Sequence, residues 1–175
     1  EAARERGARA AAVPLDVTDV DSVRRAVDGV AAALGPVEIL INNAGIAESA
    51  PFLKTDPEQW ERHLAVNVTG PYLLTRAVLP SMLERSWGRI VNIASLAGLH
   101  GAPYVTAYTA SKGAMTSLTF SLARELASFG VTVNGISPAY VNTPMVTEGL
   151  TEAQRQQLLS QIPVGRFCEP EEFAH

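Results

Sequence analysis

Tyr108 and Lys112 stand four residues apart in a stretch of helical periodicity, which puts their side chains on one face about one turn apart. A tyrosine and a lysine at that spacing are unremarkable by themselves, because many exposed helices carry such a pair. Ser95 changes the reading, since it lies at the end of a short apolar run while the helix of Tyr108 and Lys112 begins just beyond a glycine-containing loop. Three groups can then converge. A phenol titrates near 10 in water, too high for efficient proton transfer near neutrality. An ammonium about 4 Å away, at an effective dielectric of about 20, favours the phenolate by roughly 4 kcal/mol, or on the order of three pKa units. A serine hydroxyl beside them can hold a substrate oxygen and stabilise its developing charge without acting as a nucleophile. The hydrolase reading of Ser95 fails locally, because Ile93-Ala94-Ser95-Leu96-Ala97-Gly98 is not a G-x-S-x-G turn.

The elements that must position these groups alternate between short apolar runs and longer amphipathic stretches. Val13–Val17 is a short apolar run carrying Asp16, and Thr18 with Asp21 is placed to cap a helix bearing Val20, Val23, Val27, Val30 and Leu34, which Gly35-Pro36 ends. Val37–Ile41 reads as a buried parallel strand with Asn42-Asn43-Ala44-Gly45 at its carboxyl end. Asp56-Pro57-Glu58 opens a helix with Trp60, Leu64 and Val68 on one face, and Pro71 should kink or restart it. Ile90–Ala94 is the next strand. A long helix runs through Tyr108, Leu118, Leu122 and Leu126 to Gly130, followed by a strand over Val131–Ser137. Thr151 and Gln154 then frame a capping box for a short polar helix within Thr147–Ile162.

Strands alternating with helices of this length predict an α/β fold: a doubly wound, Rossmann-like parallel sheet with helices on both faces, in one domain over 1–175. Such sheets bind ligands beyond the carboxyl ends of their strands. That directs attention to Asp16, Asn43–Gly45, Ser95 and Pro138–Thr143. Of the histidines, His63 reads as a helix-surface residue and His100 as a loop residue.

Composition narrows the function classes. Fourteen basic and eighteen acidic residues leave a net charge of -4 without a basic run, so there is no electrostatic footprint for nucleic acid or an anionic membrane. No apolar run reaches the roughly 18 residues needed to span a bilayer. The single cysteine, Cys168, excludes an intrachain disulfide and paired-cysteine metal sites, and the expected compartment is the cytoplasm.

Taken together, Asn42-Asn43-Ala44-Gly45, Asn67, Ser95, Tyr108-x-x-x-Lys112 and Pro138-x-x-x-x-Thr143 resemble, in order and spacing, the classical short-chain dehydrogenase/reductase family from about Ala8 to Cys168. The resemblance implies an oxidoreductase that transfers hydride between NAD or NADP and a small alcohol or carbonyl substrate. It assigns Tyr108 as the acid or base, Lys112 as the group that tunes it and holds the nicotinamide ribose, and Ser95 as the orienter of the substrate oxygen. Asn67 would anchor a water that links Lys112 to solvent. Asp16 and Val17 would flank the adenine, and the Asn43, Ala44 and Gly45 turn would let the cofactor approach the backbone closely. Pro138, Val141 and Thr143 would bound the nicotinamide. Taken singly, Asp16 is equally a cap or turn residue. A homodimer or homotetramer is expected through the helices spanning Pro57–Leu83 and Tyr108–Phe129.

Two features depart from the family pattern. Ala139 stands where glycine usually follows the proline, and no G-x-G-x-x-G turn occurs. The expectation is therefore an incomplete domain, with the glycine-rich strand-helix-strand unit upstream of Glu1 and a last strand beyond His175. Ile162-Pro163-Val164-Gly165-Arg166-Phe167 resembles the 3-oxoacyl carrier-protein reductase branch. Sugar, polyol, cyclic alcohol and hydroxyacyl dehydrogenases remain alternatives, as do a catalytically silent binding module and an inert piece of an active protein.

Overall fold

The computed structural model describes residues 5–148 and 150–174. Glu1 to Arg4, Gly149 and His175 lie outside the described residues. The chain divides into two compact units, one ending at Ser137 and the other beginning at Pro138.

The first unit is built on three parallel strands in the order β1 (Ile39–Asn42), β2 (Gly88–Ile93) and β3 (Val131–Ile136). Helix α1 (Val20–Leu34) precedes β1. Between β1 and β2 run α2 (Pro57–Leu64), a π-helical turn (Ala65–Thr69) and α3 (Gly70–Glu84). Between β2 and β3 run the short α4 (Ala97–His100) and the long α5 (Thr106–Leu126). Parallel neighbours need such crossovers, and this is the architecture that the alternation of patterns predicts.

Register explains which residues face the helices. Asn42 pairs with Asn92, and Ile90 with Val133, so alternate residues of all three strands point to one side. There Met82 and Val78 from α3 and Leu126 from α5 close over Ile90, Val131 and Val133. Burying one such aliphatic side chain contributes about 1.5–3 kcal/mol. The same face carries a polar ladder at its carboxyl end. The Asn42 amide donates to Thr75 Oγ1 (3.3 Å) and Asn92 Oδ1 (2.8 Å), and the Asn92 amide donates to Thr119 Oγ1 (2.9 Å). The two amide nitrogens thus find partners on β2, α3 and α5, while Asn42 Oδ1 is buried without one.

Several local expectations are corrected. The cap of α1 is Asp19, whose carboxylate accepts from the amides of Asp21 and Ser22, while Thr18 closes a turn on Asp16. An aspartate one residue closer to the helix out-competes the threonine as acceptor for the first-turn amides. Strand β1 starts at Ile39, not Val37, and is half-exposed: Ile39 and Ile41 are 57% and 60% accessible. The apolar run reads as buried on both sides, yet α3 and α5 cover the Asn42 face alone. Val13–Val17 joins no ladder among the described residues. Pro71 does not interrupt the helical path. It sits in the first turn of α3, where its missing N–H is harmless, and the irregularity falls before it as the π turn.

The second unit holds α6 (Pro144–Thr147), α7 (Glu152–Leu159) and α8 (Pro170–Ala174). Thr151 and Gln154 form the expected capping box at α7. Arg155 lies over the Phe167 ring, and Arg166 forms a forked pair with Glu172 that holds the Glu172 carboxyl down near pH 2.

Candidate active site

Ser95, Tyr108 and Lys112 are brought together by one interaction that the spacing could not specify. Lys112 is buried on α5 and reaches across to β2, where its ammonium donates to the Ile93 carbonyl at 2.6 Å. That bond fixes α5 against the strand end two residues before Ser95. Ser95 is buried, and its Oγ and carbonyl accept from the Ala97 and Gly98 amides, which bends the chain into α4. Gly98 then lies against the turn of Lys112: a Cβ there would stand 2.7 Å from the Gly113 nitrogen and the Lys112 carbonyl carbon. Only glycine lets α4 and α5 approach this closely.

The Lys112 ammonium stands 5.8 Å from the centroid of the Tyr108 ring, farther than the 4 Å assumed from spacing, and its nearest partner is the Ile93 carbonyl. Burial lowers the lysine to about 8. Tyr108 is half-buried.

Asn67 is fully buried in the π turn, and its side chain is fully engaged. Oδ1 accepts from the Ile46 amide (2.9 Å), and Nδ2 donates to the Ile46 carbonyl (3.0 Å) and to Ser111 Oγ (2.9 Å). Ser111, also fully buried, donates to the Tyr108 carbonyl at 2.7 Å. The Asn67 amide therefore braces the loop after β1 and the turn that carries Tyr108.

The loop after β1 passes close to Lys112. At Gly45 an added Cβ would meet Asn67 Oδ1 at 3.2 Å and Lys112 Nζ at 3.5 Å. Asn43 and Ala44 are exposed beside it. Val17 packs against Gly70 at the start of α3. Asp16 is an exposed turn residue: the Thr18 hydroxyl (2.7 Å), then the Thr18 amide (2.9 Å), lower its carboxyl pKa. Pro138, Val141 and Thr143 belong to the second unit. There Val141 bridges Cys168 in parallel, and Thr143 precedes α6, its carbonyl accepting from the Val146 and Thr147 amides without a side-chain cap.

Two buried residues escaped the sequence reading. Ser111 lies three residues after Tyr108 and one before Lys112, a polar position on a turn already assigned to the site. His63 was expected on the helix surface, but it is 0% exposed. Its place four residues before Asn67, on the same helical face, was the available signal.

A parallel α/β unit thus carries Ser95, Tyr108 and Lys112 near the carboxyl end of β2. The family model described as short chain dehydrogenase matches residues 1–154, and the chain belongs to that family. It is 44% identical over 165 residues to acetoacetyl-CoA reductase of Rhizobium meliloti, an alignment covering 93% of this chain and 68% of that protein. It is 40% identical over 160 residues to the 3-oxoacyl-[acyl-carrier-protein] reductase of Thermotoga maritima, covering 91% and 65%. Among solved structures, the gluconate 5-dehydrogenase from Burkholderia cenocepacia in complex with NADP and tartrate superposes with a TM-score of 0.89 at 32% identity, over 95% of this chain and 66% of that one. The chain spans about two thirds of the length of the curated relatives it matches.

Among the described residues no helix is long and apolar enough to cross a membrane, and no three His, Cys, Asp or Glu side chains group to hold a metal ion.

Proposed function

We propose that this chain carries the catalytic residues of an oxidoreductase that interconverts an alcohol and a carbonyl with NAD or NADP. The observation that carries the reading is the buried Lys112, tied to the end of β2 and facing the Tyr108 ring, with Ser95 on the same strand end. The cofactor would supply or accept the hydride.

The residues present fit such a group. An ammonium has three donors, and Lys112 uses one on Ile93, which leaves two for sugar hydroxyls. Gly45 keeps the opposite wall to bare backbone. Asp16, Val17, Asn43, Ala44 and Gly45 would line the cofactor within the first unit. Ser95 Oγ would donate to the substrate oxygen, and Tyr108 Oη would give it a proton in reduction or take one in oxidation. Asn67 would keep Tyr108 and the loop in place.

A 3-oxoacyl thioester is the favoured substrate, supported by the two reductases of that chemistry among the relatives and by the Ile162–Phe167 segment. The test is the full-length protein with NADH and with NADPH, offered acetoacetyl-CoA, an open-chain sugar and a cyclic ketone. The thioester should be preferred in kcat/KM by about tenfold or more. A sugar preference would overturn the substrate assignment, and failure to reduce any carbonyl would overturn the reaction.

The compartment we favour is the cytoplasm, where Cys168 stays a thiol. A homodimer or homotetramer through α3 and α5 is supported by exposed Tyr72 and Leu83 on the first and Phe120 on the second. Light scattering of the full-length protein should give one of these masses, and a monomer at micromolar concentration would remove the interface.

A further inference from the structure

We propose that His63 is a positioning residue of this site: with Asn67 it takes the place of a neighbouring strand and holds the chain from Ile46 to Glu48 beside Lys112. The proposal rests on the catalytic reading above for its effect on the reaction, but not for the clamp itself.

His63 and Asn67 are both 0% exposed and lie four residues apart, so they share one side of the path from α2 into the π turn. Asn67 meets both the amide and the carbonyl of Ile46, and His63 Nε2 accepts from the Glu48 amide at 3.1 Å. Residues two apart in an extended chain present their amides on the same side about 6.7 Å apart. Side chains four apart on a helix rise about 6 Å. The two repeats match closely enough for one helix face to satisfy alternate residues of a segment that pairs with no strand among the described residues.

The tautomer follows from the partners. Nδ1 lies 2.8 Å from the Gln59 carbonyl, which can only accept, so Nδ1 carries the hydrogen. Nε2 faces an N–H and must be bare. The ring is neutral and has one orientation that satisfies both sides. The Arg62–Glu48 ion pair runs parallel to this bond at 2.9 Å, but it is nearly half exposed and contributes little. The far end of the segment is tied as well: the Ala50 amide donates to the carbonyl of Tyr104, a residue held at φ 67. Because Gly45 abuts both Asn67 and Lys112, slack at Glu48 would be felt at the ammonium.

Three variants of the full-length protein test this. His63→Gln places an amide oxygen where Nε2 lies, His63→Leu fills the space with no acceptor, and Arg62→Gln removes only the ion pair. In His63→Leu the Glu48 amide should exchange with solvent at least about tenfold faster, and KM for the cofactor should rise about five- to twentyfold with kcat within about threefold. His63→Gln should restore most of both, and Arg62→Gln should move neither. In the wild-type protein, nitrogen NMR should show Nδ1 protonated and Nε2 bare. Unchanged exchange and KM in His63→Leu, a His63→Gln protein no better than His63→Leu, or the opposite tautomer would each overturn the clamp. Should His63→Leu fail to fold, the tautomer and the His63→Gln exchange rate still decide. Should the enzyme reduce no carbonyl, exchange and NMR judge the clamp alone, so the two failures stay separate.

Discussion

Replacing Tyr108 with phenylalanine in the full-length protein is expected to cut turnover by about 100- to 10,000-fold, the range for losing a positioned acid–base group. The effect should be confined to chemistry. Phenylalanine keeps the ring beside Lys112, and the bond from Ser111 reaches the main-chain carbonyl of Tyr108, which the substitution does not alter. The fold and the cofactor dissociation constant should therefore stay within about twofold of wild type. Single-turnover and steady-state kinetics with the preferred carbonyl, beside a cofactor titration, make the measurement. A Tyr108→Phe enzyme that retains more than about a tenth of wild-type turnover would take the proton transfer away from this residue.

Lys112→Met is the second large effect, and it sets stability against activity. Burial holds the Lys112 ammonium at about 8, below its ordinary value of 10.5. Between those two pH values the unfolded chain binds more protons than the folded one, so stability rises with pH by up to about 1.4 kcal/mol per unit. Below pH 8 the folded protein carries a constant penalty on the order of 3 kcal/mol for the buried charge. Methionine removes that penalty and leaves the Ile93 carbonyl without its donor, which costs about 1–3 kcal/mol. The variant should unfold in urea at pH 7 at the wild-type midpoint or slightly above it, and should lose the rise in stability from pH 8 to 10.5. Its turnover should fall at least about 100-fold. A fall of more than about 2 kcal/mol in stability at pH 7 would instead make Lys112 a structural ion that holds α5 to β2. A charge kept at such a cost, beside a tyrosine and a serine, points to chemistry rather than packing.

Much of the site was legible because its residues sit at fixed points of local structure. Ser95 follows a strand, Tyr108 and Lys112 share a helix face, and Asn43–Gly45 follows another strand. Periodicity and chain order suffice to place such residues at the carboxyl end of a parallel sheet. The cap of α1 was misread by one residue because threonine and aspartate both suit that position, and the choice depends on which oxygen reaches the amides first. His63 was misread for a different reason. A polar residue on an amphipathic helix is ordinarily solvated; its place four residues before Asn67 hints at burial, but a segment fifteen residues earlier brings its amide to the ring only in the folded chain.

The sequence by itself determined the parallel α/β class, the order of strands and helices, and which side chains are candidates for the reaction, since each depends on spacing within one element or on the turn that ends it. The tertiary structure alone decided that Lys112 is anchored to Ile93, that Asn67 spends its amide on Ile46 and Ser111, and that His63 is buried. It also decided that Ile39 and Ile41 lie on an open face while the Asn42 side is closed by α3 and α5. Each of these is a contact between residues far apart in the chain, or the lack of one. Its geometry is set by how elements pack, and packing distances are not encoded in the periodicity of either partner.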